Sequence, residues 1–349
     1  MRKATNLHQN TGASLLNSPR ITVIGCGAIA EAYYLPALAK QPGIMKSLTL
    51  VDQNPERVQT LARTFGVDKC LTDYRQALDS TDGVIVALPT HLHNTVAMEF
   101  LSRGLPVFCE KPLAESSDKA RAMVEMAVKM KAALATNYSQ RLWPQFAKVK
   151  ELTEDRSLGR PTHIKYYVGE VFKWPTVSGF YFNSAAPGRG ILRDRGAHVF
   201  DHICWWLGAK PEVLISQNDA FGGSEAVAYV EFKHNECVGE VKLSWLSSFP
   251  CKFLVEFENG SIEGEVSYPQ SVIVRTGKNA AKRVNLKAES YMALGNKMVS
   301  NFVKVVAGHE RPLISGSDVL DSISFIDECY AGATRFEMPW YTFPEVAHE

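Results

Sequence analysis

From residue 21 to about residue 137, apolar and polar positions alternate between two rhythms. Short β-rich runs at 21–24, 47–51, 83–88, 106–109 and 133–136 predict strands. Between them, 54–65, 94–103 and 116–131 carry apolar residues at three- and four-residue spacing and predict amphipathic helices. Strand and helix in alternation give repeated βαβ units, hence a doubly wound parallel sheet with helices on both faces.

Beyond about residue 142 the rhythm changes. A helix at 145–154 leads to a long strand at 162–171, a loop rich in glycine, proline, serine and aromatics at 173–190, and a second helix at 192–207. Strand patterns follow at 225–233, 237–246, 253–258, 261–266 and 271–275. His234-Asn235-Glu236 and Asn259-Gly260 stand where hairpin turns belong, the second as a type I′ signal. Helices at 291–307 and 317–336 close the pattern, the last behind a Ser-Gly-Ser-Asp start that supplies cap oxygens. The expected fold is therefore α/β in the first half, followed by an α+β half with a mostly antiparallel open sheet. The expected organisation is a flexible extension at 1–18, a first domain at 19–141, a second at 142–340 and a tail at 341–349.

Composition narrows the partners. With 349 residues the chain exceeds the usual single core. Lys plus Arg total 38 against 37 Asp plus Glu, so no basic field is available to draw in nucleic acid. Seven scattered cysteines form no Cys-x-x-Cys pair, which reads as reduced thiols of a cytoplasmic protein. The polar segment 1–18 lacks the apolar stretch of a secretory signal, and no apolar run reaches membrane-span length. A small-molecule partner, with neither nucleic acid nor membrane, is expected.

Gly25-Cys26-Gly27-Ala28-Ile29-Ala30 follows the first strand and opens a helix, matching the G-x-G-x-x-A pattern in the context that gives it meaning. The first glycine permits the turn, the second admits a pyrophosphate, and the small third residue lets helix and strand pack. The free amides of the helix start then face the phosphates. Asp52 closes the second strand where a carboxylate can accept ribose hydroxyls and repel a 2′-phosphate, so NAD is expected ahead of NADP. Gln53 lies beside it. Arg57, one turn on, reads as a solvated helix position, although an arginine there could meet a 2′-phosphate.

Glu110-Lys111-Pro112 ends the fifth strand at the carboxyl edge, where a lysine can polarise a substrate oxygen. Asp194 and His198 stand four apart on a predicted helix and so within mutual reach. A carboxylate fixing an imidazole suits general acid/base work. Asp201 falls on the same face.

Taken in order, Gly25-x-Gly27, Pro89-Thr-His-Leu-His93, Glu110-Lys111-Pro112 and the Asp194/His198 helix resemble the glucose-fructose oxidoreductase/inositol dehydrogenase/MocA family over about residues 20–340. The resemblance implies a Rossmann domain followed by an α/β domain, a nicotinamide cofactor, and hydride transfer at a hydroxyl or keto carbon of a sugar, cyclitol or derivative. It also implies a homodimer or homotetramer built through the second sheet. Lys111, Asp194 and His198 would be the catalytic residues, with either Lys111 or His198 as proton acceptor. Leu88, Pro89, Thr90, His93 and Glu110 would join Gly25, Gly27, Ala28, Ile29, Ala30, Asp52, Gln53 and Arg57 around the cofactor. Two other activities occur in such a family: glycoside cleavage through transient oxidation and elimination on bound NAD, and non-enzymatic regulation.

Some features depart from the pattern. Gly188-Arg189-Gly190 replaces consecutive glycines, and arginines stand at 189, 193 and 195. Guanidinium forks for an anionic substrate are one reading. Solvated helix positions are the preferred one for Arg193 and Arg195, with Arg189 in the loop the better substrate contact. Arg141, Trp174, Tyr181 and Asp201 complete the expected substrate contacts, although Arg141 fits a domain-interface salt bridge equally well. His91 and His93 lack an acidic or cysteine partner at suitable spacing, so no metal is expected.

Overall fold

The structure is a computed structural model that describes residues 18–173, 190–220, 223–267, 271–277, 280–287 and 289–337. The first half is a six-stranded sheet of β1 (Ile21–Ile24), β2 (Thr49–Val51), β3 (Lys69–Leu71), β4 (Gly83–Val86), β5 (Val107–Cys109) and β6 (Leu134–Thr136), in the order β3-β2-β1-β4-β5-β6. Every neighbouring pair is parallel. β1 and β4 are buried at every position, as strands covered on both faces must be. The edge strand β3 was not anticipated. Its three residues are exposed or half-buried, so they carry no apolar run.

A π-helical turn at Ala30–Tyr34 runs into α1 (Leu35–Leu38). α2 (Ile44–Ser47), α3 (Pro55–Phe65), α4 (Thr90–Leu101) and α5 (Ser117–Met130) follow. The Asn54 side chain caps α3 by accepting from the amides of Glu56 and Arg57, and Ser116 caps α5 through the amide of Lys119.

The second half is a nine-stranded sheet ordered β14-β13-β12-β11-β7-β10-β9-β8-β15. It comprises β7 (Pro161–Gly169), β8 (Glu212–Asn218), β9 (Val227–His234), β10 (Cys237–Ser244), β11 (Phe249–Phe257), β12 (Gly260–Glu265), β13 (Ser271–Thr276), β14 (Lys282–Asn285) and β15 (Ala333–Arg335). Pairing is antiparallel except at β7–β10 and β8–β15. On β7, buried Ile164, Tyr166 and Val168 alternate with half-buried Lys165 and Tyr167, so one face takes the core and one is left open. Against the core face lie α6 (Pro144–Asp155) and α7 (Ile191–Leu207), whose Phe146 and Trp206 pack with Tyr166 and Phe253. α9 (Leu320–Ala331) packs on α7 through Phe325 and Phe200, with ring centroids 4.8 Å apart.

Three expectations are corrected here. Strands β8, β14 and β15 went unpredicted. The closing segment is not one helix to residue 336: a capping box between Ser315 and Asp318 opens a 3₁₀ turn at Gly316–Val319, α9 ends at Ala331, and the chain leaves as β15 beside the edge of β8. The β11–β12 turn is Glu258-Asn259, since Gly260 already pairs with Phe257. Gly260 is needed as a strand residue, because a Cβ there would lie 2.1 Å from the Arg275 carbonyl oxygen. The β9–β10 turn falls where expected, with Asn235 left-handed at φ 53°.

α8 (Tyr291–Val306) returns to the first sheet. Phe302 meets Phe108 of β5 at 5.4 Å, and Tyr291 meets Tyr33 at 5.0 Å. A Cβ on Gly83 would approach Val306 to 2.5 Å, so this contact depends on glycine in β4. The amide of Thr136 also donates to Ile314 O at 3.1 Å, which ties the end of β6 to the chain preceding α9.

Candidate active site

The strand order reverses between β1 and β4, and in open parallel sheets ligands lie beyond the carboxyl ends of the strands at such a point. Gly25, Asp52, Leu88 and Glu110 each follow the carboxyl end of a strand, so the sheet gathers the glycine turn, Gln53, Pro89, Thr90 and Lys111 along one edge. Gly25 sits at φ +99°, and a Cβ there would meet Ala87 O at 2.2 Å, so the turn must be glycine for both reasons. At Gly27 an added Cβ would meet nothing within 4 Å, which makes it an open cradle. Ala30 is fully buried, as close packing of helix on strand requires. The amide of Glu31 is bonded to Gly27 O at 3.2 Å, while those of Ala28, Ile29 and Ala30 precede any helical acceptor. An open cradle beneath free amides fits a dinucleotide pyrophosphate.

Asp52 accepts from the amides of Cys26 at 2.7 Å and Asn54 at 2.9 Å, so its carboxylate is fixed at the mouth of the turn with further lone pairs available. Arg57 is not a solvated helix position. Its Nε donates to Cys26 O at 2.6 Å and its terminal nitrogen pairs with Glu31, which clamps α3 onto the glycine turn. Burial pushes the Cys26 thiol up to about 12, so it is an inert packing group.

His93 was expected to flank the cofactor. It is fully buried, with Nδ1 2.9 Å from Pro112 O and Nε2 2.8 Å from Leu88 O, which leaves no ring nitrogen for a ligand. It staples the loop after β4 to the Glu110-Lys111-Pro112 loop. Glu110 is likewise interior: Oε1 accepts from Tyr34 at 2.5 Å and Asn137 at 2.7 Å, and Oε2 from the amide of Lys111 at 2.9 Å. Burial and the Glu110 charge keep the Tyr34 phenol protonated, so the network holds the Lys111 backbone in place.

Lys111 then crosses to the second half of the molecule. Its Nζ donates to Asp194 Oδ1 at 2.6 Å and Asp194 O at 3.0 Å, with the two side chains 19% and 22% exposed. An ammonium has three donors, so one remains for a substrate oxygen. The expected pairing of Asp194 with His198 is replaced by this ion pair, because a cation competes better for a carboxylate than a neutral imidazole does. Among the described residues His198 has no hydrogen-bond partner and meets the Tyr138 ring edge-on at 5.9 Å. Burial, then the Lys111 charge, holds its pKa well below the ordinary 6.5, so the ring is neutral and able to accept a proton.

α7 is aimed from outside the helix by Glu225, a residue sequence reasoning missed. Glu225 O accepts from the amide of Ile191 at 3.0 Å, and Oε1 accepts from Leu192 N at 3.1 Å and the Tyr330 hydroxyl at 2.6 Å. Gly190, at φ +128°, makes room for this carboxylate, which a Cβ would approach to 2.1 Å. His202, also unremarked, lies one turn beyond His198 on the same face, fully buried, with Nδ1 3.0 Å from the Tyr166 hydroxyl.

Other expected contacts are engaged elsewhere. Arg141 and Asp201 bind each other through two bonds of 2.7 and 2.6 Å at 10% and 1% exposure, so this is an interior ion pair. Arg193, expected in solvent, pairs with Asp327 at 3.3 Å, donates to Glu115 O and stacks on Tyr330 at 4.7 Å. Arg195 pairs with Glu170 just past β7, both about one third exposed. Trp174, Tyr181 and Arg189 lie outside the described residues. Among those described, no helix is long and apolar enough to cross a membrane.

Both halves of the chain are similar to known proteins. Residues 19–138 match the model of an oxidoreductase family with an NAD-binding Rossmann fold, and residues 146–263 match the GFO/IDH/MocA C-terminal domain. The rhizopine catabolism protein MocA of Rhizobium meliloti is 32% identical over 37% of this chain, a match spanning only 39% of that relative's length. Inositol 2-dehydrogenase of Corynebacterium glutamicum is 23% identical over 92% of this chain and 94% of its own. A 3-ketoreductase from Actinomadura kijaniata, solved with NADP and TDP-benzene, superposes with a TM-score of 0.79 at 21% identity, covering 93% of this chain and 100% of that one, and so shares the fold. With both halves matched by the family's own models, the chain belongs to the Gfo/Idh/MocA family of NAD(P)-dependent oxidoreductases.

Proposed function

We propose that this protein is a dehydrogenase or ketoreductase acting on a secondary hydroxyl or ketone of a sugar or cyclitol. The observation that carries the reading is the Lys111–Asp194 ion pair, which joins the carboxyl edge of the dinucleotide sheet to the helix bearing His198. A bound nicotinamide supplies the hydride acceptor in oxidation and the donor in reduction.

Gly27 and the amides of Ala28 to Ala30 would hold the pyrophosphate, and Asp52 the adenosine ribose. The remaining Lys111 donor polarises the substrate oxygen and favours developing alkoxide. His198, neutral beside that cation, takes the hydroxyl proton in oxidation. Asp194 acts as a positioning residue for the lysine rather than for the histidine. Asp52 also supports NAD over NADP, because Arg57, one turn on, is occupied by Cys26 O and Glu31. The quotient of kcat/KM for NAD over NADP is expected to exceed ~10, and a value below one would reverse this assignment.

The direct experiment follows near-ultraviolet NADH absorbance with a panel of polyols, sugars and ketosugars. Turnover that needs Lys111 supports the reading. Hydrolysis of glycosides without net NADH, or NAD-dependent protein binding with Lys111 and His198 dispensable, would replace it.

A further inference from the structure

On α7, at about 3.6 residues per turn, Asp194, His198 and Arg195 share one face, with His198 between the other two. Lys111 stands at the Asp194 flank, and Glu170 at the Arg195 flank. The helix spacing thus sets the two ion pairs on either side of one imidazole.

The two pairs differ in how they are held. Arg195 gives one guanidinium nitrogen to Glu170, and no other hydrogen bond of its side chain occurs among the described residues. Its remaining N–H groups have no hydrogen-bond partner among the described residues. Glu170 is anchored behind, where Oε1 accepts from Ser267 Oγ at 3.3 Å and lies 3.7 Å from the Cys251 thiol. The pair is half-open, at 36% and 37% exposure, whereas the structural pair Arg141–Asp201 is buried.

Building on the dehydrogenase reading, we infer that the Arg195–Glu170 pair is a specificity-determining subsite that takes a hydroxyl next to the reacting carbon and selects neutral polyhydroxylated substrates over acidic or phosphorylated ones. A hydroxyl donates once and accepts twice, so it is satisfied by an arginine donor and a glutamate acceptor standing together. An anion on the remaining guanidinium edge would sit beside the Glu170 carboxylate, with that of Asp194 on the other side of His198, so like-charge repulsion opposes it. The described charges around His198 cancel pairwise, Lys111 with Asp194 and Arg195 with Glu170, and leave no net attraction for an anion. This reverses the anionic-substrate reading that the run of arginines invites.

The test pairs each neutral ligand with an acidic counterpart, glucose with glucuronate and with glucose 6-phosphate, inositol with an inositol phosphate. Affinity for the NADH-loaded protein is measured by calorimetry alongside turnover. Wild type is expected to favour the neutral member by ~10-fold or more. Glu170→Gln, isosteric at a half-exposed position, should shift that ratio ~10-fold toward the acidic member by freeing the guanidinium. Arg195→Gln should weaken the neutral ligand without any gain for the acidic one. A wild type that prefers the acidic members, that binds none of the neutral ones, or whose ratio survives Glu170→Gln overturns the inference. Charge preference without hydride transfer would sink the dehydrogenase reading and leave the subsite standing.

Discussion

Gly25 and Gly27 look equivalent in the sequence and do different work in the structure. Gly25→Ala strains a left-handed backbone and drives a Cβ into Ala87 O, so it should destabilise the fold by about 1–3 kcal/mol, read by chemical denaturation. Gly27→Ala meets no protein atom, so the fold should keep its stability while NADH affinity falls ~10-fold or more. Equal effects on stability and affinity in both variants would contradict this division. His198 carries its own signature. Because burial and Lys111 lower its pKa, the acid limb of kcat/KM for alcohol oxidation should fall below pH 6.5 and vanish in His198→Gln. An inflection at the ordinary histidine value would show a solvated ring instead.

At the level of elements, the ion pair Arg141–Asp201 serves packing between the turn before α6 and the middle of α7. Arg141→Met would leave the Asp201 carboxylate buried and unpaired, at a cost of about 3–5 kcal/mol in unfolding experiments. If instead KM rose with stability unchanged, Arg141 would be a substrate contact. The same pair marks what was legible in the chain. Long periodic segments gave the strands of the first sheet except β3, and helices α3 to α8, because burial there imposes a period. β3, β8, β14 and β15 are short or half-exposed edge and near-edge strands, where no face is fully buried and so no alternation is written. The glycine turn, Asp52 and the Asp194/His198 helix were legible as candidates from local spacing, and Lys111 from its place at the end of the fifth strand together with the family resemblance. Their partners were not, because spacing cannot see contacts such as Lys111 with Asp194 or Glu225 with the α7 amides, which are long-range and decided by tertiary competition. A carboxylate just before β9 carries no local sign of capping a helix that precedes it in the chain.

For the molecule as a whole, three histidines set the acid response, His93 and His202 fully buried and His198 half-buried. His93, His198 and His202 all have pKa values lowered by burial, so below pH 6.5 the unfolded chain binds protons that the folded one refuses. Stability is then complete above that pH and falls as the pH drops, by roughly 1.4 kcal/mol per pH unit for each fully titrating group. Asp201 and Glu225, whose pKa values burial raises, act in the opposite sense but only near the carboxylate range. Melting temperatures should therefore decline between pH 7 and 5.5, and a flat profile would mean that these rings open to solvent.

The two sheets meet at Lys111, which leaves one sheet edge and grips the helix lying on the other. The most direct test of the account is NADH formation or consumption across the neutral polyol and ketosugar panel, comparing wild type with Lys111→Ala at matched cofactor saturation. Turnover is expected on a neutral polyol or its ketone, with kcat lowered roughly 10²–10³-fold in the variant. A variant that turns over the same substrate at the wild-type rate would contradict it.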